Sequence, residues 1–219
     1  HKKIYSKNRL LTTIGYRIKG KTTYAMEGSI FIAGAGVQWL RDRMKFFKKA
    51  PETEKIVKSL DNNNDIYLVP AFTGLGAPYW DANARGVLSG ITRDTSPKEI
   101  VRATIEAVAY QTFDLFEAMK HDGLRPKIVK VDGGMVMNNW FSQFLSDIVN
   151  VKVLRPKVQE TTALGAAFMA GLQIGVYKSL KDISKNWHLD KKFSPKMKNK
   201  SRSTLIKGWE KAVKRVLIN

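Results

Sequence analysis

Two adjacent glycines, Gly133 and Gly134, stand between a stretch typical of a buried strand and one typical of a helix, and Asn138 and Asn139 follow. Glycine has no Cβ, so a flat ring or a phosphate can approach the backbone, and the next helix offers unpaired N–H groups. Either asparagine could cap that helix or reach a ligand. At the carboxyl end of a parallel strand, the glycines would occupy the place where α/β sheets bind ligands. A tight turn in any α/β domain has the same spacing, so the residues alone leave both interpretations open.

Other glycine-rich segments do not extend this pattern. The segment GAGVQW, which begins at Gly34, lacks the third glycine of the dinucleotide-binding motif. We therefore predict neither a Rossmann-type nor a Walker-type phosphate site.

Strand and helix patterns alternate along the chain, which predicts a mixed α/β fold with helices packed on the sheet faces. The clearest helix start is at Ser96, Pro97 and Glu99, which match a capping box with proline at the first helical position, and Gly123 fits the end of that helix. Its apolar residues between Ile100 and Met119 recur on one face. The remaining predictions are strands over 10–18, 22–32, 66–72, 87–91, 128–131 and 151–154, a helix from 34, and helices over 51–60, 140–149, 162–176 and 201–217.

Composition limits the classes of protein that the chain can represent. Its 219 residues, 43% of them hydrophobic, are enough for a substantial core, and we find no linker that would divide it. The absence of cysteine excludes disulfides, thiolate zinc sites and cysteine nucleophiles, and it is compatible with the cytoplasm, where we expect the protein. The longest nearly apolar run, 163–177, is 15 residues, short of the ~20 that cross a bilayer, so we expect no membrane segment.

The charge is strongly positive, with a formal net value of +19. Residues 178–219 contribute 13 basic and 3 acidic side chains to it. Such an excess attracts nucleic acids or acidic partners, but the arginine clusters and interleaved aromatics of an RNA-binding module do not accompany it. We favour a solvated, lysine-rich helical face and expect no nucleic-acid partner. A basic module that binds through Lys207, Lys211, Lys214 and Arg215 is the alternative.

Four stretches, at residues 24–42, 69–93, 131–148 and 155–172, together resemble the C-terminal half of the FGGY carbohydrate kinases, within the actin-like ATPase superfamily. A further match is specific: GVLSGI at 86–91 is followed after seven residues by EIVRATIE, as in the second signature of that family. The resemblance implies a ribonuclease H-like α/β domain over 1–219, with a mixed sheet, helices on both faces and the N-terminal substrate domain outside this chain. The four stretches are YAMEGSIFIAGAGVQWLRD (24–42), VPAFTGLGAPYWDANARGVLSGITR (69–93), VDGGMVMNNWFSQFLSDI (131–148) and RPKVQETTALGAAFMAGL (155–172).

The resemblance also implies the roles of individual residues. Gly134 and Asn138 match the glycine and asparagine that bind adenosine, and Gly34 and Gln38 match two nucleotide-contacting positions on the facing helix. ATP or ADP is the implied cofactor. Without the family resemblance, the sequence indicates that Gln38 is a solvated helix residue and that Gly34 is a glycine at the start of a helix.

The loop TGLGAPYWD resembles the glycerol branch of the family, which implies transfer of the ATP γ-phosphoryl group to glycerol to give glycerol 3-phosphate. Half of a xylulose- or ribulose-type kinase is the alternative. For Tyr79, Trp80, Asp81 and Arg85 we favour packing and loop bracing over substrate contact, with Asp81 as an alternative candidate base. For 160–167, with its small side chains, we expect close packing of a helix against a sheet.

The resemblance places the rest of the active site upstream of this chain. The catalytic aspartate, most of the Mg²⁺ ligands and the groups that hold the substrate belong to the N-terminal part, so we predict no catalytic and no metal-binding residue here. An isolated C-terminal half should not turn over, because phosphoryl transfer depends on groups around the γ-phosphate. Family members commonly form dimers or tetramers, which implies a homo-oligomer for the full-length protein.

Overall fold

The computed structural model describes residues 3–217 and has a mixed α/β architecture. The elements agree with the predicted alternation, although most strands are shorter than the sequence patterns indicate. They are β1 Leu11–Ile18, β2 Lys21–Glu27, α1 Gly34–Asp42, α2 Glu52–Lys58, β3 Tyr67–Val69, β4 Val87–Ser89, α3 Pro97–His121, β5 Ile128–Lys130, a 3₁₀ turn Gly134–Met137, α4 Asn139–Val149, β6 Lys152–Pro156, α5 Thr161–Gln173, α6 Leu180–Ser184, β7 Leu189–Phe193 and α7 Asn199–Val216.

Helix α3 is the centre of the molecule. The predicted capping box is confirmed at its start: the Ser96 side chain accepts from the Lys98 N–H, and the Glu99 carboxylate accepts from the Ser96 N–H. Gly123 follows the helix end with φ of 84°. The prediction of a single apolar face is too narrow, since every residue from 101 to 111 is buried. The reason is that α1, α2, α4 and β3 surround this part of the helix.

The strands form three small sheets. β5 and β6 pair in parallel and β7 joins β6 antiparallel, so this sheet is mixed, as predicted. β1 and β2 form the predicted antiparallel pair, and β3 pairs with β4. Helix α4 packs on β6 and β7 and also on α3, which connects the mixed sheet to the helical core.

Helix α7 closes the core from the side of β3. Trp209 is buried, and its ring stacks on Tyr110 of α3 with a centroid distance of 5.4 Å. The backbone at Gly208 lies so close to the Tyr67 ring that a Cβ would overlap the phenol. The basic side chains of Lys207, Lys211, Lys214 and Arg215 lie on the opposite, exposed side of the helix.

Helix α5 contradicts one expectation. Its small side chains do not pack tightly on a sheet: Gly171 is its one fully buried residue within 3–217. Its aromatic contact is local, because Phe168 packs edge-on against Tyr177, just beyond the helix. No helix among residues 3–217 combines the length and hydropathy that a bilayer crossing requires.

Candidate functional site

A cavity of about 360 Å³ lies where α1, α2 and the 3₁₀ turn meet. This volume is within the range of small-molecule sites, roughly 300–1,000 Å³. All four residues predicted to bind nucleotide line the cavity. The lining residues are Gly34, Val37, Gln38, Arg41, Ala50, Pro51, Thr53, Glu54, Ile105, Gly134, Met135, Met137 and Asn138.

The two glycines have different physical roles. Gly133 has φ of 82°, a left-handed backbone conformation that side chains with a Cβ disfavour. Gly134 opens the 3₁₀ turn, and no atom of the described chain beyond its immediate neighbours lies within 4 Å of the position that a Cβ would take. The first glycine therefore permits the bend, and the second leaves the backbone accessible from the cavity.

The asparagine pair divides between two tasks. Asn138 caps α4, because its Oδ1 accepts from the Phe141 N–H at 3.0 Å, and its Nδ2 lies 3.4 Å from the Thr53 hydroxyl. Asn139 is not part of the cavity lining; its Oδ1 accepts from Arg155 and Lys191. Asn138 is thus the asparagine that both caps the helix and borders the cavity.

The start of α1 contributes an electropositive end to the cavity. The helix begins at Gly34 after Ala33, no side chain in residues 3–217 caps it, and its first turn holds no acidic residue. Unpaired N–H groups and the helix dipole at such a start favour an anionic or strongly polar ligand. Gln38 lies one turn further along the same helix and also lines the cavity.

Helix α2 forms one wall of the cavity, and the sequence patterns do not predict this. Thr53 is buried, and Glu54 accepts from the Asn139 N–H at 3.3 Å and from the Lys58 ammonium. Burial opposes ionisation of Glu54, but these hydrogen bonds outweigh it and lower the pKa of the carboxyl. No local signal in the sequence points to these residues, because they reach the turn 85 positions away only through the fold.

The loop that carries the glycerol-branch resemblance does not contribute to this cavity. Its side chains brace the loop instead: the Asp81 carboxylate accepts from the backbone N–H groups of Asn83 and Ala84, and Arg85 donates to two carbonyls beside it. Tyr79 donates to Asp114, and the Trp80 indole donates to the Arg9 carbonyl. The expectation of loop bracing is met. Asp81 is held as a turn residue, which gives no support to its role as a base.

One segment matches the letters of a P-loop, although no Walker-type phosphate site is predicted above. GYRIKGKT, residues 15–22, has the spacing G-x-x-x-x-G-K-T. A P-loop needs a helix after its lysine, whereas here Gly15 lies within β1, Gly20 forms the turn and Lys21 begins β2. The hairpin presents no helix start, so this segment is not a phosphate site.

The part of the chain that the structure describes, 3–217, brings no three His, Cys, Asp or Glu side chains together into a metal-binding group. The cavity itself contains one carboxylate, that of Glu54. The arrangement thus suits a neutral or anionic organic ligand whose flat part rests on exposed backbone.

Comparison with known proteins agrees with the fold. Residues 2–174 match the model of the family described as "FGGY family of carbohydrate kinases, C-terminal domain". The chain is similar to glycerol kinase 1 of Pseudomonas aeruginosa, with 57% identity over 213 residues, 97% of this chain and 43% of the relative. It is also similar to a glycerol kinase of Rhizobium meliloti, with 53% identity over 98% of this chain and 44% of the relative. The chain spans less than half the length of these relatives.

Solved structures give the same fold. The chain resembles a Plasmodium falciparum glycerol kinase with ADP at a TM-score of 0.89 and 38% identity, over 100% of this chain and 44% of that one. A ligand-bound xylulose kinase from Lactobacillus acidophilus has a TM-score of 0.80 at 23% identity, over 97% of this chain and 42% of that one, which shows the fold alone.

These likenesses and the mixed sheet define an α/β domain of the ribonuclease H-like, actin-like ATPase class. The chain belongs to the FGGY family of carbohydrate kinases and matches their C-terminal domain.

Proposed function

We propose that this chain is the nucleotide-binding C-terminal part of a glycerol kinase, an ATP-dependent phosphotransferase that forms glycerol 3-phosphate. One observation carries the proposal: Gly34, Gln38, Gly134 and Asn138, which lie 100 positions apart in two pairs, converge on a single cavity. The named glycerol kinases among the relatives and the ADP in the Plasmodium falciparum structure support the choice of substrate and cofactor.

In this proposal the adenosine part of ATP or ADP occupies the cavity. The base rests on the open backbone at Gly134, between the turn and α1, and Gln38 and Asn138 offer polar groups at its edges. The electropositive start of α1 suits the negative charge of the phosphates. Mg²⁺, bound with the nucleotide, would neutralise charge on the phosphates, and its ligands are expected mainly from the N-terminal part.

The remaining groups of the reaction come from outside this chain in our proposal. The whole of 1–219 then acts as one domain, the N-terminal part contributes the substrate site and the catalytic aspartate, and the full-length protein forms a homo-oligomer. Half of a pentulose kinase is the alternative, but it rests on fold similarity without further sequence support.

The affinity of the isolated chain for nucleotide is expected to be low. An adenine ring that buries ~150 Å², like a small aromatic side chain, gains ~4 kcal/mol at ~25 cal/mol/Å² before the costs of immobilisation. This corresponds to a dissociation constant in the millimolar range. NMR titration of ADP should shift the Gly134 and Asn138 amides, and no shift at several millimolar ADP would contradict the proposal.

Activity can be tested with a chimera, because the chain alone should not phosphorylate glycerol. The N-terminal part of Pseudomonas aeruginosa glycerol kinase 1 is fused to the start of this chain. This chain then takes the place of the homologous C-terminal part of that enzyme. We expect ATP-dependent glycerol phosphorylation by this chimera. The matched chimera with the N-terminal part of the Lactobacillus acidophilus xylulose kinase should be inactive on xylulose. The opposite pattern would favour the pentulose alternative, as would faster turnover of xylulose than glycerol by the full-length protein.

A further inference from the structure

Arg155 on β6 is a buried arginine next to the candidate site; it begins one of the four stretches that resemble the family, but the sequence assigns it no role. It is 5% exposed and does not line the cavity. Its guanidinium contacts carbonyl groups of the 3₁₀ turn. The remainder of this inference rests on the proposed function, because it concerns the turn that would present its backbone to the nucleotide.

The guanidinium binds several groups of the turn at once. Nη1 donates to the Val136 carbonyl at 2.8 Å and lies 3.4 Å from the Met137 carbonyl. Nη2 lies 3.3 Å from the Asn139 Oδ1. These acceptors follow Gly134 by two, three and five positions, so one planar group binds three groups between the glycines and the start of α4.

The guanidinium is itself held in place from the other side. Nε donates to the Asp190 carboxylate on β7 at 2.7 Å, and the group lies over the Phe193 ring, 5.6 Å from its centroid. A planar fork with five donors can satisfy the ion pair and the turn at the same time, whereas a lysine ammonium cannot reproduce this geometry.

We propose that Arg155 is the positioning residue of the nucleotide turn: it fixes the carbonyls of Val136 and Met137 so that the Gly134 backbone stays open to the base. It does not touch the nucleotide. Arg155 affects nucleotide binding by fixing the conformation of the turn. A residue that only stabilises the fold would not change that conformation.

The test compares Arg155→Met and Arg155→Lys with Lys152→Met. Lys152 is an exposed cation on the same strand, so its replacement removes the same charge without touching the turn. ADP affinity is measured by NMR titration. Circular dichroism at the temperature of the titration confirms that the variants remain folded. We expect Arg155→Met to weaken ADP binding about tenfold, because charge-assisted hydrogen bonds to the turn are lost. Arg155→Lys should weaken ADP binding nearly as much. Lys152→Met should bind like the unsubstituted chain.

Two further readouts distinguish positioning from general stability. Without nucleotide, the amides of Gly134 to Asn138 should shift and exchange faster in both Arg155 variants, while amides of β3 and α7 remain as before. A third variant, Arg155→Ala, leaves space for a free guanidinium ion, which at tens of millimolar should restore part of its ADP affinity. If Arg155→Met unfolds, the same measurements on Arg155→Lys decide the question.

The outcomes separate this inference from the proposed function. If the unsubstituted chain binds no ADP, the proposed function fails, and the turn amides of the Arg155 variants still report on the positioning role. If the Arg155 variants bind ADP normally, or if their turn amides keep the shifts and exchange rates of the unsubstituted chain, the positioning role is wrong.

Discussion

Trp209 on α7 and Asp114 on α3 are joined by a hydrogen bond of 2.8 Å from the indole N–H to the carboxylate Oδ2. The hydroxyl of Tyr79 donates to the same oxygen at 3.0 Å. One carboxylate thus connects the central helix, the C-terminal helix and the loop that carries the glycerol-branch resemblance. Burial raises the pKa of Asp114 to about 7, although both hydrogen bonds favour the ionised form.

This raised pKa predicts how stability depends on pH. The folded-state pKa of about 7 lies above the ordinary value of 3.8, so the folded protein binds the extra proton between these values. The contribution of Asp114 to the free energy of unfolding is therefore complete below pH ~4 and is lost as pH rises to ~7, by at most about 4 kcal/mol. Asp114→Asn should remove this component, so that the variant gains stability relative to the unsubstituted chain between pH 5 and 8. Urea unfolding at several pH values measures the difference; parallel pH profiles of the two proteins would contradict the prediction.

A second prediction concerns the buried ion pair on α3. Arg102 Nε lies 2.7 Å from the Glu106 carboxylate, which is 0% exposed, and Arg102 also donates to the Leu60 carbonyl. Removal of one partner leaves a buried charge uncompensated, so Arg102→Met and Glu106→Leu should each cost about 3–5 kcal/mol. The double variant should lose less than the sum of the two. A double-mutant cycle by urea unfolding gives the coupling energy.

The exposed pair Lys120–Glu117 on the same helix is the matched control. Its coupling energy should be below ~0.5 kcal/mol, because solvent screens an exposed pair and long side chains lose entropy when they form it. Equal coupling energies for the two pairs would mean that burial does not strengthen the Arg102–Glu106 interaction.

A third prediction compares two helical glycines. A Cβ at Gly208 would overlap the buried ring of Tyr67, whereas a Cβ at Gly165 would meet no atom of the described chain within 4 Å apart from its neighbours and the backbone of its own helix. Gly208→Ala should therefore lower the free energy of unfolding by about 1–3 kcal/mol through overpacking. Gly165→Ala should raise it by about 0.5–1 kcal/mol, since alanine is the better helix former. Stabilisation by both substitutions would show that α7 can move away from β3 at little cost.

Local patterns in the sequence predict the elements, but they do not predict which elements come together. The capping box at Ser96 and Glu99 is correct because its atoms lie within one turn of the chain. The wall formed by Thr53 and Glu54 depends on contacts with residues 85 positions away, and no periodicity carries such information. Burial is equally non-local, as α3 shows: its pattern indicates one face, and the elements around it bury the rest.

The residues of the candidate site are likewise identified partly from the sequence and partly from contacts that only the fold creates. The family resemblance identifies Gly34, Gln38, Gly134 and Asn138, and the fold brings them to one cavity. Arg155 is adjacent in space to the turn, but helix α4 separates them in sequence, so only the structure connects them. The sequence also does not predict that α5 is exposed, because a run of small residues is compatible with a buried helix and with an exposed one.

The two glycines of the turn give a fourth prediction, since one should govern stability and the other access to the cavity. Gly133→Ala places a Cβ at φ of 82° and should cost about 1–2 kcal/mol of stability. Gly134→Leu has no such cost, because the space around its Cβ is open, and its stability should change by less than about 0.5 kcal/mol. Its side chain enters the cavity, however, so NMR titration should show no binding of ADP. Gly165→Leu, an equally open position on α5, is the control: it should keep ADP binding and gain stability much as Gly165→Ala does. Normal ADP binding by Gly134→Leu would mean that the base does not rest on this backbone.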